Sequence, residues 1–420
     1  MLILVVFGVA AATAVYFYYW WSLEYWPRRG VPTPPPEFFF GHSRMMYKLE
    51  KPRVLQYRDW GKLLGKTFGL NEGLTKTLVS SDLDVVQEIM CKQFDNFYTR
   101  RFNVIEPPSS LDQRLNLFQT RGGRWKRIRT IATPSFSVSS LKKTRNSLTK
   151  PQDELFDEIG AVVESRLKFR EEHPAVTNEG SEDFIDVFLD TVADYIANER
   201  NNNFKNSETV EKALTVPEII AQAVIFLLGG FDTTANGLGY TAWLLSKHPE
   251  VMKRCQEEVD DVCTDENISF EDLNNCRYIE ATCKEVLRFF PLGTFACTRI
   301  CTQTTDVCGM KIEEGTAFQA DVFNLHFDKE IWGEDANEFM PERWLDPSRP
   351  TVPSIAYLPF GGGPRICIGM RLGMLKMKMV ITHVLRKFSI VNAPEAKQLQ
   401  LQGSLTLTSK EVLVKIIPRE

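Results

Sequence analysis

The sequence predicts a mainly α-helical fold with a small β region and a transmembrane helix at the N-terminus. Residues 1–23 carry no charged side chain, and residues 216–248 form the longest stretch with the apolar spacing of a buried helix. Short β-prone runs separated by glycines lie between residues 295 and 320. The chain has 420 residues, 43% of them hydrophobic and 25% charged, which is the composition of a globular protein.

Charge and cysteine content narrow the class of function. Lys and Arg number 50 against 54 Asp and Glu, so the net charge of -4 provides no basic field for a polyanion. We therefore expect no nucleic-acid partner. The nine cysteines have no regular spacing, which argues against a disulfide framework or a zinc site and favours a reducing compartment.

Residues 1–23 are predicted to be an uncleaved membrane anchor, because about 20 apolar helical residues cross the apolar core of a bilayer. The stretch ends in aromatic residues that include Trp20 and Trp21, and Arg28 and Arg29 follow it, which predicts a cytosolic C-terminal side. A cleaved signal peptide and a buried core helix are the alternatives. The first is disfavoured because no basic residue precedes the apolar stretch.

The segment after the anchor is rich in proline, with five prolines between residues 27 and 36. Such a composition predicts an extended, semi-rigid linker over residues 24–36. The globular domain would then occupy residues 37–420.

The long helix contains an unfavourable sequence at its centre, Gly-Gly-Phe-Asp-Thr-Thr over residues 229–234. Each glycine costs roughly 1 kcal/mol relative to alanine in a helix, and such a local conflict is typical of a functional site. Small residues allow a flat ligand to approach the backbone, and Asp232 and Thr233 can carry protons. A packing kink without function is the alternative.

Two further helices carry charged residues at helical spacing. Residues 123–131 include Trp125 and a basic face with Arg129, for which a solvated surface is the simplest interpretation. Within residues 270–290, Glu285 and Arg288 are three residues apart and can pair on one helix face.

The most informative stretch is residues 360–369, a glycine-rich loop that presents Cys367 just before a predicted helix over residues 370–387. A helix N-terminus favours a thiolate over a thiol, which is the form that binds iron. The loop lacks the Lys-Ser/Thr ending of a phosphate loop, and Cys367 lacks an obvious histidine partner for nucleophilic catalysis.

These residues resemble the cytochrome P-450 superfamily, and within it the microsomal drug- and steroid-oxidising enzymes related to thromboxane synthase. The family's haem loop, Phe-x-x-Gly-x-Arg-x-Cys-x-Gly, is matched at every specified position by Phe360, Gly363, Arg365, Cys367 and Gly369. The resemblance implies the cytochrome P-450 fold and haem b (iron protoporphyrin IX) as the cofactor, with Cys367 as the thiolate ligand of the iron.

Three more family motifs occur in the expected order. Glu285 and Arg288 are similar to the Glu-x-x-Arg pair, and Arg343 lies in a similar Pro-Glu-Arg-aromatic turn, which implies one buried charged network. Residues 229–234 resemble the oxygen-activating bend, which implies that Asp232 and Thr233 relay protons. The resemblance also implies a set of haem contacts, in which the arginines neutralise the propionates: Trp125, Arg129, Arg365, Arg100, Arg299 and Phe360.

By this resemblance the protein is a monooxygenase that inserts one atom of O2 into an apolar small molecule. An NADPH-dependent flavin reductase would supply electrons at a basic face containing Lys126, Arg127, Arg371 and Lys376, with cytochrome b5 as a second candidate donor. The resemblance implies a single-pass protein of the endoplasmic reticulum membrane with a cytosolic catalytic domain. A peroxide isomerase of the thromboxane-synthase type is the alternative, and it needs neither a reductase nor a proton relay.

The sequence departs from the family between the Trp125 helix and residue 216, where the family has about twice as many residues. The missing part, expected near residues 146–151, includes the helices that roof the substrate pocket. A haem-binding but catalytically impaired, truncated relative is therefore a third alternative, and the sequence does not identify the substrate.

Overall fold

The computed structural model describes residues 2–48, 51–101, 112, 114–136, 152–172, 184–192, 213–396, 398–403 and 406–419. Helices dominate these residues and short strands form small sheets beside them, which confirms the predicted fold class. The predicted break near residues 146–151 lies outside the described residues.

The helices are numbered in chain order. They are α1 Leu2–Leu23, α2 Ser43–Met46, α3 Arg53–Leu64, α4 Leu83–Gln87, α5 Gly122–Ala132, α6 Gln152–Glu172, α7 Phe184–Leu189, α8 Val216–Lys247, α9 Pro249–Val262, α10 Phe270–Asn275, α11 Arg277–Phe289, α12 Val322–His326, α13 Lys329–Trp332 and α14 Met370–Lys387.

The strands are β1 Thr67–Glu72, β2 Thr75–Ser80, β3 Thr298–Ile300, β4 Thr305–Val307, β5 Met310–Ile312, β6 Ala317–Ala320, β7 Phe388–Asn392, β8 Leu401–Gln402, β9 Thr408–Ser409 and β10 Val414–Pro418. The largest sheet has the order β1-β2-β6-β3, in which β6 runs parallel to β2 and the other pairs are antiparallel. Residues 294–296, part of a run expected to be β-prone, form a 3-10 turn instead.

The apolar N-terminal helix α1 is long enough to cross a bilayer, and no residue of its most apolar 18-residue stretch is buried in the protein. The α8 helix is also long and apolar enough to cross a bilayer, but a third of its most apolar stretch is buried in the protein, as in a core helix. The N-terminal helix therefore indicates a membrane anchor or a signal sequence.

The proline-rich segment after α1 packs on the largest sheet, so the expectation of a separate linker over residues 24–36 is wrong. Trp26 is 1% exposed, and its Nε1 donates a hydrogen bond to the Leu70 carbonyl at 2.9 Å. The Gly69 amide donates to the Pro32 carbonyl at 2.8 Å. Because the chain satisfies its polar groups against β1, this segment belongs to the globular body.

The α8 helix begins with a capping box, in which Thr215 and Glu218 satisfy each other's backbone amides. It continues without interruption through the Gly229-Gly230 step. Thr233 Oγ1 donates to the Gly229 carbonyl at 2.6 Å, and Thr234 Oγ1 donates to the Gly230 carbonyl at 2.9 Å. These two bonds occupy the hydroxyls within the helix, which packs against α6, α11 and α14.

Candidate active site

Cys367 lies in a tight loop whose backbone requires glycine. The φ angle is +76° at Gly361 and +66° at Gly363, and a Cβ atom on Gly363 would lie 1.9 Å from the Met90 carbonyl oxygen. The Cys367 amide donates a hydrogen bond to the Phe360 carbonyl at 2.9 Å. The loop therefore returns on itself and presents the cysteine immediately before α14.

The thiol of Cys367 is exposed, but surrounding protein groups remove much of its hydration. This desolvation raises the pKa of the Cys367 thiol, whereas a hydrogen bond from the Gly369 amide and the positive charges of Arg100 and Arg129 lower it. Desolvation has the larger effect. The helix N-terminus alone therefore does not make a thiolate, and a bound cation would have to displace the proton.

A cluster of four arginines, Arg100, Arg129, Arg299 and Arg365, surrounds the cysteine loop. Three of them donate hydrogen bonds to carbonyl oxygens of the loop itself: Arg129 to Ile366 at 2.9 Å, Arg100 to Arg365 at 2.6 Å and Arg299 to Gly362 at 3.1 Å. The arginine cluster thus helps to fix the backbone conformation of the loop.

The charges of the arginine cluster are not balanced by any carboxylate within the described part of the chain. Burial and repulsion from Arg299 lower the pKa of Arg100 to about 9, and burial lowers the pKa of Arg299 to about 10. The pKa of Arg365 also falls well below its usual range, because it is buried beside the other three cations. Such a concentration of buried positive charge is unfavourable without an anion.

Three N–H groups of the arginine cluster are buried and find no acceptor among the residues that the structure describes: Nε of Arg100, Nε of Arg299 and Nη1 of Arg365. An unpaired buried donor typically costs about 1–3 kcal/mol. Two carboxylates in one ligand would supply both the missing acceptors and the missing negative charge, so the residues fit the two propionates of haem b.

Trp125 borders this cluster, and Phe360 lies at the start of the cysteine loop. Trp125 is 5% exposed, and the Arg365 guanidinium lies 4.2 Å from the centroid of its ring. Arg365 is fixed from its other side by hydrogen bonds to the carbonyls of Tyr98 and Thr120 at 3.0 and 2.8 Å. Phe360 lines a cavity of about 320 Å³ together with Met370, Arg371 and Met374.

Asp232 and Thr233 are neighbours on α8 but bind different partners. The Asp232 carboxylate accepts hydrogen bonds from Thr406 Oγ1 at 2.9 Å and from Asn236 Nδ2 at 3.1 Å. Thr233 keeps its hydroxyl on the Gly229 carbonyl, close to the exposed side chain of Phe231. A hydroxyl and a carboxylate are therefore held, already hydrogen-bonded, at the centre of the long helix.

Glu285, Arg288 and Arg343 form one buried network, which we call the charged network. Arg288 binds the Glu285 carboxylate through Nη2 and Nε at 2.8 and 3.0 Å, and Arg343 Nε binds it at 2.9 Å. Their side chains are 0–2% exposed. Trp344 Nε1 adds a fourth bond to Glu285 at 2.9 Å. Arg343 Nη1 also pairs with the Asp335 carboxylate at 3.1 Å, so each of the two guanidinium groups has a carboxylate partner, as a buried group of ions requires.

The structure brings Cys367 together with the arginine cluster, whereas the charged network lies beside the start of the cysteine loop. Arg127 is misassigned by the sequence analysis, which expected it on an exposed basic face. It is 2% exposed, and its guanidinium binds the Glu218 carboxylate at 2.8 Å and the Ala213 carbonyl. Arg371, by contrast, is exposed.

His326 is not among the residues predicted from the sequence; it is 0% exposed and binds both Arg288 and Leu358. Its only signal in the sequence is rarity, since the chain has five histidines. The role of Trp344 as a donor to Glu285 was also missed, although its motif was identified.

A family model described as Cytochrome P-450 matches the chain in two overlapping pieces, residues 31–170 and 140–416. Two Caenorhabditis elegans proteins provisionally named cytochrome P-450 CYP13A3 and cytochrome P-450 cyp-13B1 are similar to it, with 35% and 34% identity over 493 aligned positions. Each alignment covers 94% of this chain and 95% of the relative. Since 94% of 420 residues is about 395, about 98 of the 493 positions are gaps in this chain.

Proposed function

The chain belongs to the cytochrome P-450 family and takes haem b as its cofactor, and we propose that it inserts one oxygen atom from O2 into an apolar small molecule. The observation that supports this most strongly is the exposed Cys367 beside the arginine cluster, in which Arg100, Arg299 and Arg365 each have a buried N–H group without an acceptor among the described residues. When bound, the haem supplies the redox chemistry of oxygen activation. The chain's own residues bind and orient it.

Cys367 is proposed as the sulfur ligand and the arginine cluster as the propionate site. Phe360 and Trp125 would border the cofactor, since the first carries the carbonyl that binds the Cys367 amide and the second lies against Arg365. The charged network would hold the region that precedes the loop. Because Arg343 also pairs with Asp335, each guanidinium of the network has a carboxylate partner, which lowers the cost of burying these ions.

Asp232 and Thr233 are proposed to move protons on the α8 side of the site. Thr233 Oγ1 has its own proton on the Gly229 carbonyl, and its oxygen can accept another hydrogen bond. Asp232 is already bound by Thr406 and Asn236, so it would exchange protons through solvent rather than reach into the site directly. This retained pair favours the monooxygenase over a peroxide isomerase, which needs no relay.

Electrons are proposed to arrive from an NADPH-dependent flavin reductase, with cytochrome b5 as a second candidate donor. Arg371 is exposed and lines the same cavity as Phe360, so a partner bound there would approach the cysteine loop from outside. With Arg127 buried, the proposed docking surface consists of Lys126, Arg371 and Lys376. The apolar helix α1 supports a single-pass anchor in the endoplasmic reticulum membrane with a cytosolic domain.

A second candidate function is a haem-binding protein with impaired turnover, because the substrate pocket is proposed to lack part of its roof. About 98 alignment positions are gaps in this chain, and the family model matches in two pieces that meet at residues 140–170. Loss of a roof would admit water, which weakens control over reactive species.

Spectroscopy of the purified protein tests the assignment. The reduced carbon-monoxide complex should show the strongly red-shifted Soret band of thiolate ligation, and Cys367→Ser should lose it. Cys301→Ser is a matched control, because this buried cysteine lies outside the arginine cluster and should leave the band unchanged. A wild-type spectrum of the histidine-ligated type would contradict the proposal.

A further inference from the structure

His326 joins three parts of the structure and has no role in the site described above. It is the last residue of α12 and is 0% exposed. Its Nδ1 lies 2.9 Å from the Arg288 carbonyl, and the Leu358 amide donates to its Nε2 at 2.8 Å. One imidazole ring therefore connects the end of α11 to the segment that leads into the cysteine loop.

The partners of His326 fix the position of its single ring proton. A backbone amide can only donate and a backbone carbonyl can only accept, so Nε2 must be the acceptor and Nδ1 must carry the proton. Both ring nitrogens are thereby satisfied, as a fully buried imidazole requires. A side chain with one polar end could satisfy only one of these two partners.

The ring is also held in its plane by packing. It stacks on Tyr357 with the ring centroids 5.6 Å apart and an angle of 22° between the planes. The Tyr357 hydroxyl in turn donates to the Lys284 carbonyl on α11 at 2.9 Å. His326 and Tyr357 therefore form a rigid layer between α11 and the loop.

One side of this layer is the charged network. Arg288, which binds Glu285, also donates from Nη1 to the His326 carbonyl at 2.7 Å. Arg288 and His326 thus bind each other twice, once through each backbone carbonyl. A displacement of one residue must displace the other.

The other side of the layer is the cysteine loop. Leu358 is 1% exposed, and its carbonyl accepts a hydrogen bond from the Gly361 amide at 3.0 Å. The Phe360 carbonyl within that turn accepts the Cys367 amide. The Leu358 amide held by His326 is therefore the first fixed point of the turn on which Cys367 is mounted.

We propose that His326 is a positioning residue, which transmits the rigidity of the charged network to the cysteine loop and keeps Cys367 in the orientation that retains haem-thiolate ligation. The inference rests on the proposed role of Cys367. The inference adds to that role, because it assigns the positioning of the Cys367 sulfur to His326, a residue outside the cysteine loop. The bond from Leu358 is the essential one, since it alone reaches the loop.

Two substitutions separate the bonds of His326. In His326→Gln the side-chain oxygen can take the place of Nε2 and accept from Leu358, whereas in His326→Asn the shorter amide can donate to the Arg288 carbonyl but cannot reach Leu358. The full-length protein in detergent is reduced, exposed to carbon monoxide and warmed mildly, and the half-life of the thiolate-type band is recorded. Hydrogen exchange at the Leu358 amide, measured on the same purified protein before reduction, gives a second readout.

In His326→Asn the half-life should shorten about fivefold, the factor expected for one lost hydrogen bond of typical net strength, and the Leu358 amide should exchange faster to a similar degree. In His326→Gln both quantities should stay within about twofold of wild type. Trp332→Phe is the control, because it removes another buried hydrogen bond beside His326, from Nε1 to the Leu325 carbonyl at 3.0 Å, without touching the loop. It should lower thermal stability but leave the half-life unchanged.

Equal half-lives in wild type and His326→Asn would overturn the proposal, as would a His326→Gln protein that loses the band as fast as His326→Asn. If His326→Asn does not fold, His326→Leu, which also lacks an acceptor for the Leu358 amide, takes its place, and equal half-lives and Leu358 exchange rates in His326→Leu and His326→Gln would overturn the proposal. A wild-type protein without the thiolate-type band would instead refute the assignment of Cys367. In that case hydrogen exchange still tests the contact itself.

Discussion

Replacement of Arg288 by alanine should strongly destabilise the protein, because this side chain is at the centre of the charged network. Arg288 makes five hydrogen bonds, two to the Glu285 carboxylate and three to the carbonyls of His326, Ala336 and Glu338. In Arg288→Ala the carboxylate keeps Arg343 and Trp344, so it loses only part of its compensation. The carbonyls of the buried residues His326 and Ala336 lose a donor, whereas the Glu338 carbonyl keeps its hydrogen bond from Arg343 Nη2 at 3.3 Å.

The expected cost is about 3–5 kcal/mol, the range for breaking a buried ion pair by removing one partner. A simple sum of five charge-assisted bonds would give more, but the contributions of groups in one network do not add. Total stabilities are typically about 5–15 kcal/mol, so the variant should accumulate mainly as unfolded or haem-free protein. Arg288→Lys keeps the positive charge but lacks the planar guanidinium, so its free energy of unfolding should lie between those of wild type and Arg288→Ala.

Chemical denaturation of the full-length protein in detergent, followed by tryptophan fluorescence and by the haem band, measures this change. Lys253→Ala is the control, because Lys253 pairs with Glu257 on the surface, with both side chains at least 60% exposed, and should leave the midpoint unchanged. A haem-loaded Arg288→Ala protein with the wild-type midpoint would show that the charged network does not stabilise the fold.

Three further predictions concern the site itself. Thr233→Ala should keep haem but release more hydrogen peroxide per NADPH consumed, and unchanged coupling would favour the peroxide isomerase. Gly363→Ala should displace the loop from Met90 and lower the haem content of purified protein, whereas Gly309→Ala, also at positive φ but with no atom near its Cβ, should retain haem. Burial lowers the pKa of His326 from 6.5 to about 3. As the pH falls, the unfolded chain therefore takes up a proton on this residue before the folded protein does. The free energy of unfolding should then decrease between pH 6.5 and pH 3, by up to about 1.4 kcal/mol per pH unit. In His326→Gln this slope should be smaller, and an equal slope in both proteins would refute the assignment to His326.

Features that depend on local spacing were predictable from the sequence. The helix over residues 370–387 has the predicted bounds. The position of Cys367 in a glycine-rich loop directly before this helix was also predictable, because both the loop and the helix are encoded by neighbouring residues. The pairing of Glu285 with Arg288 follows from helical geometry in the same way.

Features that depend on distant contacts were not predictable. The Asp232 carboxylate is bound by Thr406, 174 residues further along the chain, and no local pattern relates them. Proline content indicated an extended course for residues 24–36, but it could not show that Trp26 has a place on β1. The burial of Arg127 likewise depends on Glu218 of another helix, because charge alone does not distinguish an exposed cation from a paired one.

The uncompensated charge of the arginine cluster has a consequence for biosynthesis. As a newly made chain folds, it must bury the arginine cluster, in which three N–H groups lack acceptors among the described residues. Burial of the cluster before the cofactor binds is therefore opposed both by charge repulsion and by desolvation. A dianionic ligand removes both penalties at once and shifts the folding equilibrium by mass action. The supply of haem in the cell would then set the amount of mature protein, and chains made during haem shortage would remain open to proteolysis rather than accumulate as a stable apoprotein.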